Sequence, residues 1–99
     1  MADWITSRQK RPAELWRIGI DFRGDIEPGD TVASHDAKAF DEAGVDVTAT
    51  FLGARTITGT TVKVLVKDGA ADSNYTVLFE VTTVGGDKFQ ADVLVPVRA

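Results

Sequence analysis

Apolar and polar residues alternate with a period of two along most of this chain, and no stretch carries the 3.6-residue apolar stripe of an amphipathic helix. In the first alternating run, Trp16, Ile18, Ile20 and Phe22 take one face, and Leu15, Arg17, Gly19 and Asp21 take the other. Glu27-Pro28-Gly29-Asp30 follows as a turn of type II character, with Gly29 supplying the positive φ. The pattern then predicts a short strand over residues 31–34 and a third strand in which Val45, Val47, Ala49 and Phe51 share a face. Val62, Val64 and Val66 mark a fourth strand; Tyr75, Val77, Phe79 and Val81 a fifth; Phe89, Ala91, Val93, Val95 and Val97 a sixth. Between residues 34 and 44 the spacing of Ala37, Ala39, Phe40 and Ala43 fits either one helical turn or a crossing loop.

The clearest local signal is Gly85-Gly86, set between two alternating runs, which predicts a tight hairpin joining the last two strands. Pro96 has no N–H to give to a ladder, so its strand is at an edge or ends there. Short strands separated by Gly, Pro, Asp and Asn, each with one apolar and one polar face, predict an antiparallel β-sandwich.

Composition narrows the picture. With 99 residues, 43% of them hydrophobic, the chain supports one core and one domain. No apolar run approaches the roughly 18 residues of a membrane helix. With no cysteine and one histidine, there is no disulfide framework, no thiolate metal site, no cysteine nucleophile and no multi-histidine metal site. The opening Met1-Ala-Asp-Trp-Ile-Thr-Ser has neither a basic n-region nor an apolar h-region, so synthesis and folding in a cytoplasm are expected.

Charge divides the chain. Residues 1–23 hold five basic against three acidic groups, a net of +2, and residues 24–99 hold six against twelve, a net of −6. An acidic body disfavours phosphate backbones, and the basic stretch Arg8-Gln-Lys-Arg11 is a poor nucleic-acid footprint. Residues 1–12 are read as a flexible N-terminal arm and residues 13–99 as the sandwich domain.

Candidate chemistry is sparse. Ser34-His35-Asp36 has the residue types of a hydrolase triad, but consecutive side chains on an extended segment point to opposite faces, so His35 reads as an exposed loop histidine. Asp36, Asp41, Glu42 and Asp46 lack the loop spacing of a calcium site and read as solvated carboxylates. Asp68 and Asp72 flank Gly69 as turn residues. Asn74-Tyr-Thr76 matches the glycosylation acceptor pattern, which matters only on a secretory route. Trp4 and Ile5 stand outside every alternating run: either they tuck over an open sheet edge, or they dock in another chain.

Two segments carry a family resemblance. Lys10-Arg-Pro12-Ala-Glu-Leu-Trp-Arg-Ile-Gly-Ile-Asp-Phe22 followed by Glu27-Pro-Gly-Asp-Thr-Val32, and then Val62-Lys-Val-Leu-Val-Lys-Asp-Gly69 with Asn74-Tyr-Thr-Val-Leu-Phe-Glu-Val-Thr-Thr-Val-Gly-Gly-Asp-Lys-Phe89, resemble small proteins of tailed-bacteriophage structural gene clusters. The resemblance implies an immunoglobulin-like sandwich of six to seven strands and a virion protein of the tail-fibre adaptor or head–tail accessory kind. Under it, Tyr75 stands two residues before Val77, where true immunoglobulin domains keep their second cysteine, and so falls at the tyrosine corner.

Three function classes follow: a non-enzymatic adaptor linking tail fibres to the tail or neck, a capsid-surface decoration protein, and a carbohydrate-binding module. Most of the aromatics fall on predicted core faces, leaving Trp4 and Phe40 for a sugar platform, which weakens the last. The adaptor reading implies other virion proteins as partners, several symmetric copies, no nucleic acid, no membrane and no cofactor. The expected partner interface is Trp4, Ile5, Arg8, Lys10 and Arg11.

Overall fold

Val62, Val64 and Val66 are each wholly buried, and they sit in the middle of one of two packed sheets. The computed structural model describes the backbone of Trp4–Thr6 and the whole of residues 8–99. Among the described residues, seven strands and one helical turn run in the order β1 (Trp4–Thr6), β2 (Trp16–Asp21), β3 (Val32–Phe40), α1 (Thr48–Phe51), β4 (Leu52–Thr58), β5 (Thr61–Val66), β6 (Ser73–Thr83) and β7 (Lys88–Val97). One sheet has the order β1-β7-β6-β3 and the other β2-β5-β4. Every pair is antiparallel except β1 with β7, which run parallel with Trp4, Ile5 and Thr6 opposite Asp92, Val93 and Leu94.

The core is built chiefly from the apolar faces of β2, β3, β5, β6 and β7, with Phe51 and Leu52 added where α1 leads into β4. Phe79 on β6 is fully buried, and its register neighbours are Ala37 on β3 and Ala91 on β7. Two small residues flanking one large ring let the layer close at interior density, which explains why alanines occupy these strand positions despite their low strand propensity. Phe51 stacks on Tyr75 with ring centroids 4.3 Å apart and 9° between planes. The Tyr75 hydroxyl accepts a hydrogen bond from the Ala70 N–H at 2.8 Å, the contact of a tyrosine corner.

The turn at Glu27–Asp30 forms as the sequence predicts, with Gly29 at φ +87° and Asp30 N–H donating to the Glu27 carbonyl at 3.0 Å. The hairpin at Gly85-Gly86 also forms, with Gly86 at φ +96°.

Three expectations are corrected. The segment after Ser34 is neither helix nor loop but continues as β3; a register shift between Val32 and Ser34 turns His35, Ala37 and Ala39 inward. The strand expected over 45–51 is replaced by α1, because the Asp46 carboxylate accepts from the Thr48 N–H at 2.9 Å and hydroxyl at 2.6 Å and coils the chain. Of that supposed apolar row, Phe51 is buried while Val45 is 57% exposed. Finally, residues 4–6 and 10 do not form an arm apart from the sandwich. They border β7, and Lys10 bridges Val97 in parallel.

Candidate partner interface

The segment around Lys10 meets the C-terminal end of β7 at one tip of the sandwich. Lys10 N–H donates to the Pro96 carbonyl, and Arg98 N–H donates to the Lys10 carbonyl, both at 2.8 Å. Pro96 has no N–H, and Lys10 takes up its carbonyl, so the N-terminal segment finishes the β7 edge where β7 gives the fewest bonds. An open cleft of about 340 Å³ lies at this tip, lined by Arg8, Gln9, Lys10, Arg11, Glu14 and Arg98 together with Ala99.

Of the residues expected at the interface, Arg8 and Arg11 are exposed at this cleft. Arg8 lies over the Trp16 ring, 4.8 Å from its centroid, and 3.6 Å from the Glu14 carboxylate. Glu14 also accepts from the Arg11 N–H at 2.9 Å and from Trp16 Nε1 at 3.4 Å; these bonds hold its carboxyl below the usual range. The side chains of Trp4 and Ile5 lie outside the described residues, although their backbone forms β1.

Lys10 requires a correction. Expected as a surface contact, it is fully buried, and its ammonium donates to the carbonyls of Arg11 at 2.9 Å, Pro12 at 3.2 Å and Asp68 at 2.6 Å. Burial pushes its pKa down, while the charges of Asp68 and Glu14 oppose that shift. Three carbonyls satisfy the three N–H bonds of one ammonium, so Lys10 is an internal latch tying the N-terminal segment to the β5–β6 loop. Asp68 reaches this position with φ +55°, and Asp72 has φ +62°, so the two act as turn residues. Nothing in the basic run 8–11 distinguishes the buried lysine from its exposed neighbours; only the loop placed opposite it does.

On the far side, β3 and β4, each the last strand of its sheet, form a seam. His35 is not a loop histidine: it points inward from β3, stacks on Phe79 at 6.4 Å, and neither ring nitrogen makes a well-formed hydrogen bond. Ser34 and Asp36 are exposed on the opposite face, which excludes a triad. Arg55 from β4 crosses the seam to the His35 carbonyl and to the Asp36 carboxylate at 3.0 Å. Desolvation and then the Arg55 charge lower the His35 pKa below 6.5, against the opposing effects of the Thr56 backbone and Asp36.

The remaining carboxylates of the acidic cluster have separate tasks. Asp41 accepts from the Ala43 and Val45 N–H groups, each at 2.9 Å, and Glu42 accepts from the Asn74 N–H at 2.7 Å. They fasten loops rather than converge on a common point.

The profile of one protein family, described as podophage GP4 fiber-tail adaptor protein gp77, matches residues 10–96. The chain belongs to that family. The match begins at the Lys10 latch and leaves β1 outside it. No curated protein sequence matches significantly. Among solved structures, titin M4 in a trigonal form is similar with a TM-score of 0.57 at 14% identity, covering 94% of this chain and 88% of that one. That likeness establishes an immunoglobulin-like β-sandwich for this fibre–tail adaptor family member.

Proposed function

We propose that this chain is a structural link in a virion, holding a fibre to the tail through protein–protein contacts without a catalytic step. The observation that carries this reading is the family match across residues 10–96. The tip where the segment around Lys10 meets the end of β7 supports a specific contact surface. β1 ends its sheet, and among the described residues its three residues pair on one side only, which leaves a backbone edge for a partner strand. Arg8 and Arg11 are exposed beside it, on a chain whose body is otherwise acidic. Trp4 and Ile5 supply the apolar anchor, Arg8 and Arg11 the charged rim, and Lys10 holds the segment in place from inside. Several copies arranged about the tail axis present this surface to neighbouring subunits.

Deleting residues 1–9 tests the surface, because it spares Lys10 and the whole matched region. The shortened chain is expected to fold and to lose attachment to tail particles. Unchanged attachment contradicts this surface, and attachment to the head lattice in place of the tail contradicts the adaptor reading itself.

A further inference from the structure

The edge of the second sheet carries a self-complementary strand. β2 is the outermost strand of the order β2-β5-β4, and among the described residues none pairs with its open side. Phe22 N–H donates to the Thr60 carbonyl at 2.9 Å, and in this register the bonds to β5 fall on residues of the same parity: Ile20, Ile18 and Trp16. The N–H and C=O groups of Arg17, Gly19 and Asp21 therefore face outward along the free edge.

About Gly19 the strand reads Arg17-Ile18-Gly19-Ile20-Asp21. Its apolar positions mirror one another, and its charges mirror with opposite sign. An antiparallel partner of the same sequence, placed with Gly19 opposite Gly19, sets each Arg17 across from the partner's Asp21. It also sets Ile18 across from the partner's Ile20. This is the register in which the outward N–H and C=O groups meet as hydrogen-bonded pairs. Gly19 cannot carry a side chain, because a Cβ there would come within 2.7 Å of Lys63 Cγ and 2.9 Å of the Val62 carbonyl. The centre of such a pairing is thus free of side chains from β2 itself. No proline interrupts the edge, and no lysine lies on it.

We propose that β2 pairs antiparallel with β2 of a second copy of this chain, about a two-fold axis at Gly19, joining two three-stranded sheets into one of six. The pairing is a separate proposal from the adaptor reading: it uses the sheet that does not contain β1, although Arg8 lies over Trp16 at the start of β2, so the two surfaces adjoin.

Light scattering on a dilution series of the full chain tests it. The wild type is expected to show a reversible monomer–dimer equilibrium. Arg17→Asp alone, or Asp21→Arg alone, creates two like-charge pairs per dimer and is expected to weaken association roughly tenfold or more. Combining both substitutions restores opposite charges and is expected to recover association. The chain has no cysteine, so the register is read directly by carrying Arg17→Cys together with Asp21→Cys. Oxidation is expected to give a covalent dimer for that double variant and none for either single one, since a hydrogen-bonded pair spans about 5.5 Å between Cα atoms. A single-chain mass at every concentration overturns the proposal. So does association that ignores both charge reversals, or equal cross-linking of single and double variants.

Discussion

The Lys10 ammonium donates to the Asp68 carbonyl at 2.6 Å, joining two residues 58 positions apart in the chain. The basic N-terminal stretch is thereby split by function. Lys10 belongs to the interior, while Arg8 and Arg11 remain on the surface.

Replacing Lys10 by methionine keeps the stem and removes the three donors, leaving three carbonyls without their partner. A loss of about 2–3 kcal/mol is expected, which corresponds to a fall in Tm of roughly 10–20 °C for a domain of this size. Thermal and urea unfolding measure it. A change below about 0.5 kcal/mol means that water replaces the ammonium freely and the latch is not structural.

Tyr75→Phe removes the hydroxyl that accepts from Ala70 N–H while keeping the ring against Phe51. A loss of about 1 kcal/mol is expected, and amide exchange at Ala70 should accelerate. Unaltered protection at Ala70 contradicts a tyrosine corner that holds the β5–β6 loop.

Acid should weaken the fold through His35. Its folded pKa lies below the unfolded value of about 6.5, so the unfolded chain binds the proton more readily. The stability contributed by the neutral ring is complete above that value and declines as pH falls towards the folded pKa. Tm measured at pH 7.5 and pH 5.5 should therefore differ less for His35→Phe than for the wild type. Removing the neighbouring cation with Arg55→Met should raise the His35 pKa, read from its imidazole resonances. Its effect on stability near neutral pH should be below about 1 kcal/mol, since the pair with Asp36 is exposed. A His35 pKa that does not move shows that burial alone sets it.

The sequence reveals strands wherever an apolar row faces the core, and the runs ending at Val66, Val81 and Val97 match β5, β6 and β7 closely. It conceals strands whose faces are not distinguished by polarity. β4 has five exposed residues in succession, Ala54 to Thr58, and so shows no alternation to read. β3 places alanines and a histidine inward, because Phe79 fills the volume opposite them. Around Val45 to Phe51 the alternation is real, but side-chain bonds from Asp41 and Asp46 override it. At the candidate interface, the exposed positions of Arg8 and Arg11 follow from charge and polarity, whereas the burial of Lys10 depends on a loop far along the chain. The inward turn of His35 likewise needs the register shift after Val32, which no local pattern announces.

Gly29 at φ +87° offers a check on the turn that leads into β3. No atom crowds a Cβ built there, so Gly29→Ala isolates the backbone penalty from any clash. A loss of about 1 kcal/mol is expected. A neutral or stabilising result would show that the turn relaxes to another geometry.

The most direct test of the adaptor reading is co-sedimentation of the purified full chain with two particles from the same phage: fibreless tails that lack this protein, and assembled heads. The adaptor reading predicts saturable binding to the tails, restored fibre attachment once the chain is bound, and no binding to the heads. Binding to the heads with none to the tails, or tail binding that never restores fibre attachment, would contradict it.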